Sequence, residues 1–88
     1  MDEEDIVEGI LYFLSIGEER NIKDIKDFLL INDFAFPNLK NLLKDMEKEG
    51  LIEKRKIDNA LFYDLADNGV NYLKDTGSFS EIKEKWGI

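Results

Sequence analysis

Apolar residues along this 88-residue chain leave the helical period at Gly50-Leu51, and that change restricts what the chain can fold into. Before it they recur at the spacing of one helical face; after it they stand in two short extended runs. Ile6, Val7, Ile10, Leu11 and Leu14 predict a first helix over residues 3–16, ending near Gly17, with acids before it that suit the positive end of its dipole. Asn21, with Asp24 three residues on, predicts the N-cap of a short second helix that turns Ile22, Ile25, Phe28 and Leu29 inward. Asn32-Asp33 ends it, and Pro37 suits the first turn of a third helix, where its missing N–H costs nothing. Leu39, Leu42, Leu43 and Met46 form the apolar stripe of that helix, which Gly50 closes as a left-handed cap. Phe34 and Phe36, in the turn before it, are expected to plug the core, the alternative being a solvent-facing pair that binds a partner.

After the switch, residues 51–57 and 60–65 flank Asp58-Asn59, a two-residue hairpin turn. Asp67-Asn68-Gly69 opens a fourth helix with Val70, Leu73 and Tyr72 inward, stopping at Thr76-Gly77. Ser78 and Glu81 have the spacing of a capping box and start a short last helix over residues 78–88, with Phe79, Ile82 and Trp86 on one side. A helix of that length does not stand alone in water. Its apolar side either folds back on the first helix or pairs with its twin in a homodimer, which is expected because a partner would also cover the first helix. The whole reads as one domain over residues 1–88, with its core at about 5–75. Its class is mainly α with a small β-hairpin (α+β), in the order α-α-α-β-β-α plus the short C-terminal helix.

So short a chain buries only a little over roughly 60% of the surface its unfolded form exposes. It contains no cysteine and no histidine, which removes disulfides, thiolate nucleophiles, imidazole bases and the usual zinc ligands. Ser15, Ser78 and Ser80 have no histidine to activate them, so no enzyme activity, catalytic residue, metal or cofactor is expected. Asp2 and Asp5 stand at helical spacing, a pattern that serves a helix dipole far more often than a cation. No apolar run approaches the roughly 20 residues that span a bilayer. The start Met1-Asp2-Glu3-Glu4-Asp5 is the reverse of a basic signal-peptide start, so a cytoplasmic protein with no membrane partner is expected.

The net charge of −8 argues against nucleic acid, but it is unevenly spread. Residues 1–20 carry seven acids against Arg20 alone, whereas residues 37–56 hold Lys40, Lys44, Lys48, Lys54, Arg55 and Lys56 against four acids. At 100° per residue, the face of the third helix opposite its apolar stripe centres on Asn41, Lys44 and Lys48, flanked by Lys40 and Asp45. Glu47 and Glu49 fall nearer the stripe's edges, which makes the exposed ridge more basic than the helix as a whole. Lysines four apart on an exposed face also describe a plain solvated surface.

Two stretches of local sequence add to this. Leu42-Leu43-Lys44-Asp45-Met46-Glu47-Lys48-Glu49-Gly50-Leu51-Ile52 resembles the "L-x-x-L-x-x-x-G-L-I" passage from third helix to wing in winged helix-turn-helix proteins. Phe62-Tyr63-Asp64-Leu65-Ala66-Asp67-Asn68-Gly69-Val70-Asn71-Tyr72-Leu73 looks like the "Y-x-L-T-x-x-G-x-x-x-L" exit from the wing, except that Ala66 replaces the usual threonine and leaves Asp67 as the substitute cap. The similarity covers roughly residues 5–75 and points to short archaeal-type transcriptional regulators related to the MarR and PadR groups.

This resemblance implies a third helix lying in the major groove of double-stranded DNA and a hairpin wing on the backbone or minor groove. Asn38, Lys40, Asn41, Lys44 and Lys48 would then meet the groove, Asn41 pairing with adenine and the lysines serving guanine or phosphate. Lys54, Arg55, Lys56 and Asn59 would make the wing's contacts to DNA phosphates, although strand alternation lets at most two of the three cations point at one ligand. Arg55 has a second option in a narrow minor groove, and Lys23 and Lys26 are optional backbone contacts. In a homodimer the two recognition helices would stand about 34 Å apart. The alternative is a protein-interaction module of the same fold, docking a basic protein partner on the acidic surface of its first helix.

Overall fold

The computed structural model describes residues 3–17, 20–32, 38–75 and 84. Four helices and one hairpin follow in the order α1 (Glu3–Ser15), α2 (Ile22–Ile31), α3 (Leu39–Lys48), β1 (Ile52–Ile57), β2 (Ala60–Leu65) and α4 (Asp67–Asp75). This is the expected mainly helical α+β layout. The expected last helix, with Phe79, Ile82 and Trp86, lies outside the described residues, as do Asp2, Phe34, Phe36 and Pro37; of residues 76–88 only Glu84 is described, helical and exposed. Among the described residues no helix is long and apolar enough to cross a membrane.

The first helix is the hub of the core and packs against α2, β2 and α4. Ile6, Ile10, Leu11, Tyr12 and Leu14 are all buried, a wider surface than one helical stripe, because neighbours lie on several sides. Ser15 ends the helix by turning its hydroxyl back to donate to the Tyr12 carbonyl at 2.6 Å. Phe13 stacks on Phe28 of α2 with ring centroids 4.3 Å apart, joining the two helices at one end.

A complete capping box starts α2. The Asp24 amide donates to Asn21 Oδ1 at 2.8 Å, and the Asn21 amide donates to Asp24 Oδ2 at 3.2 Å. Ile25, Phe28 and Leu29 are buried as expected, but Ile22 is 39% exposed. Helical side chains lean toward the N-terminus, so at the first helical position Ile22 points past the end of α2 rather than onto the core. Asn21→Ala is expected to destabilise the domain by about 1 kcal/mol, read as a lower urea midpoint at unchanged slope.

All four stripe residues of α3 are buried. Gly50 follows with φ +77°, the left-handed turn that sends the chain into β1. Asp58 (φ 49°) and Asn59 (φ 70°) turn the hairpin with both central residues left-handed, the conformation whose twist matches that of the strands. Antiparallel pairing runs from Ile52 opposite Leu65 to Ile57 opposite Ala60. Ile52 and Tyr63 are buried at the root, whereas residues 53–61 are exposed throughout, so the hairpin stands off the body.

The fourth helix departs from expectation in two respects. It begins at Asp67, which puts the cap position on Ala66; the Ala66 carbonyl accepts from the Gly69 and Val70 amides. Asp67 is therefore not the substitute cap but a first-turn acid facing the positive end of the dipole. Val70 is 38% exposed, and Gly69 is buried with Leu73 in its place. The cause is a close approach between backbones: a Cβ on Gly69 would overlap the Leu51 carbonyl oxygen, which accepts the Ala66 amide at 3.0 Å. Asn68 donates from Nδ2 to the Glu49 carbonyl at 3.0 Å, so the start of α4 sits directly on the turn out of α3.

Candidate nucleic-acid interface

Burying Leu39, Leu42, Leu43 and Met46 forces the opposite side of α3 into water. Asn38, Lys40, Asn41, Lys44, Asp45 and Lys48 are all exposed, and Glu47 at the stripe's edge is half-buried. Asn38 stands at the N-cap position with φ −107° and makes no side-chain capping hydrogen bond. Lys40, Lys44 and Lys48 form no ion pair with any described residue. The ridge therefore holds three cations and two amides with unused hydrogen-bonding groups, beside the exposed carboxylates of Asp45 and, at the helix end, Glu49.

The hairpin register sorts its cations by face. Residues directly opposite each other share a face, so Lys54 lies beside Tyr63 and Lys56 beside Leu61, on the side that carries the buried Ile52. Arg55 lies on the other side, opposite Phe62. Lys54 reaches back to α3, with Nζ 3.8 Å from Glu47 Oε1, while Arg55 pairs along its own strand with Glu53 at 3.5 Å. Both pairs are long and well exposed, and such pairs are worth about 0–1 kcal/mol, so an incoming anion displaces them at little cost. Lys56 and Asn59 are exposed with no ion pair or side-chain hydrogen bond to a described residue. Lys23 and Lys26 are exposed on α2.

The sequence did not disclose what supports the hairpin. Arg20, between α1 and α2, pairs with Tyr63 as an isolated bridge: its amide donates to the Tyr63 carbonyl at 3.1 Å, and the Tyr63 amide donates back at 2.7 Å. The Arg20 guanidinium lies 4.2 Å from the centroid of the Phe13 ring, held there as a cation on an aromatic face. One residue of strand has no period, so no pattern announces it. Tyr63 is 8% exposed, and burial, followed by the charge of Glu47, raises its phenol above the usual range and keeps it neutral.

The arrangement thus brings the Asn41, Lys44 and Lys48 ridge and the Lys54 and Lys56 side of the hairpin to neighbouring surfaces linked by Glu47, and sets Arg55 apart. A groove of about 520 Å³ flanks the ridge between α1 and α3, lined by Val7, Leu42, Asp45, Met46, Lys48 and Glu49. Its polar groups are of mixed sign and converge on no point. Among the described residues no three acidic side chains gather as a metal site. Compared with protein families, curated proteins and solved structures, the chain matches none of them.

Proposed function

We propose that this protein is a DNA-binding transcriptional regulator of the winged helix-turn-helix type, acting without cofactor or chemistry. The observation that supports it most is the ridge of Lys44 and Lys48 on α3, which pairs with no acid among the described residues, beside a basic hairpin face in a chain whose net charge is −8. Ridge lysines that form no ion pair with a described residue, beside hairpin cations held only in long exposed pairs, suit a polyanion. On this reading α3 enters the major groove, Asn41 and the lysines meet base edges, and Lys54 and Lys56 hold phosphates. Arg55, on the far side of the hairpin, serves the backbone or a neighbouring minor groove. The protein works in the cytoplasm, and a homodimer presents two copies of α3 about one helical turn apart.

Selection from a randomised duplex library near 50 mM salt tests this, because a short basic face binds best at low ionic strength. The expected result is an enriched site, palindromic for a dimer. The double variant Lys44→Ala/Lys48→Ala is expected to bind that site at least about tenfold more weakly, since each lost base or phosphate contact is worth about 1 kcal/mol or more. Equal affinity of variant and parent rules out α3 as the reading helix.

The acidity itself favours a second reading, a protein-interaction module that docks a basic partner on α1 and its surroundings. Binding that survives loss of Lys44, Lys48 and Arg55 and depends on α1 identifies that case.

A further inference from the structure

We propose that the outer edge of β1 accepts a short acidic segment in extended conformation as an added strand. The sheet has two strands, and its two edges differ. On the β2 side, the amide and carbonyl of Tyr63 are taken by Arg20. Because Tyr63 faces away from β1 with both groups, Lys54 opposite it belongs to a non-hydrogen-bonded pair, and so does Lys56, two residues on. The amides and carbonyls of Lys54 and Lys56 therefore point outward from β1, where no described residue meets them. This is an open pairing edge, the feature that strand addition uses.

Charge selects the occupant. Lys54, Arg55 and Lys56 stand against Glu53 alone on this strand, a positive edge in a negative protein. A second copy of β1 is a poor partner: laid antiparallel on this edge, it sets Lys54 opposite Lys56, and like charges directly opposite destabilise a ladder. The same lysines favour a strand with carboxylates at alternate positions, which places an acid beside each lysine and an uncharged residue beside Arg55. The edge thus discriminates by charge between its own kind and an acidic peptide. The inference stands apart from the DNA reading, and its test contains no DNA.

The test is amide hydrogen exchange of the full chain, followed residue by residue by NMR, with a short capped peptide alternating glutamate and valine. At a peptide concentration ten times its dissociation constant, exchange at Lys54 and Lys56 is expected to slow about tenfold, while solvent-facing amides of α3 are unchanged. The same peptide N-methylated at alternate residues keeps its charge but cannot form the ladder, and a peptide alternating lysine and valine can form the ladder but carries the wrong charge. Neither is expected to slow exchange at the two lysines. Protection by the methylated peptide would reduce the effect to charge attraction and overturn the added strand. Protection by the lysine peptide would overturn the acidic partner, and no protection by the glutamate peptide, or protection only elsewhere, would overturn both.

Discussion

Gly69→Ala is expected to lower the stability of the domain by about 3 kcal/mol, although alanine is the better helix former by about 1 kcal/mol. The added Cβ would overlap the Leu51 carbonyl oxygen and stand 3.1 Å from both the Leu51 carbonyl carbon and Leu65 Cδ2. Leu51 is backbone and cannot swing aside as a side chain would. Moving it also strains the 3.0 Å bond from the Ala66 amide that leads the chain into α4. Domains of this size hold roughly 0.05–0.15 kcal/mol per residue, so the loss is a large share of the total. Thermal unfolding is the readout, with a fall of roughly 10–20 °C expected for a small domain. Gly17→Ala is the comparison: there the atoms nearest the Cβ belong to the Arg20 guanidinium, a side-chain end that can shift at the cost of its contact with Phe13, and a smaller effect is expected. Equal melting of the Gly69 variant and the parent would refute the close approach of α4 to the turn after α3.

Leu43→Ala is expected to cost about 3–4 kcal/mol, the middle of the range for deleting a fully buried leucine, and Lys44→Ala no more than about 0.5 kcal/mol. The two residues are neighbours in sequence and stand about 100° apart on α3. Leu43 is wholly excluded from water, whereas Lys44 is exposed and pairs with no described acid. Urea unfolding of both variants measures the orientation of α3 directly. A comparable loss from each would mean that the helix is rotated and that its ridge is not the surface described. The same comparison would separate an effect of Lys44→Ala on the proposed DNA binding from an effect on folding.

How far the chain could be read in advance depended on the kind of interaction. Periodic burial was legible: Leu39, Leu42, Leu43 and Met46 are all buried, and the lysines opposite them are exposed. Short-range hydrogen bonding was legible too, in the Asn21 and Asp24 box and in the left-handed Asp58-Asn59 turn. Depth was not. Ile22 and Val70 have the right phase but sit at the margin, because phase gives a direction and says nothing about where a neighbouring element ends. Gly69 read as a helix opener and proved to be a contact, since a residue with no side chain gives no sign in sequence that another backbone lies against it. Of the candidate interface, the exposure of α3 and the division of Lys54 and Lys56 from Arg55 followed from the helical and strand periods. The approach of Lys54 to Glu47 depends on how the hairpin leans, which no local pattern encodes.

The bridge between Arg20 and Tyr63 also has a consequence for folding. Its two hydrogen bonds tie the α1–α2 connection to a strand that comes after α3 in the chain, and Tyr63 buries its ring where both halves meet. A fragment ending at Gly50 would leave the Arg20 amide and carbonyl without these partners and would uncover the side of α1 against which β2 packs. The helices and the hairpin are therefore expected to unfold together, and helix formation alone leaves these contacts unmade. Closing this distant pair carries a loop-entropy cost that must be met before the core contacts it brings together can offset it.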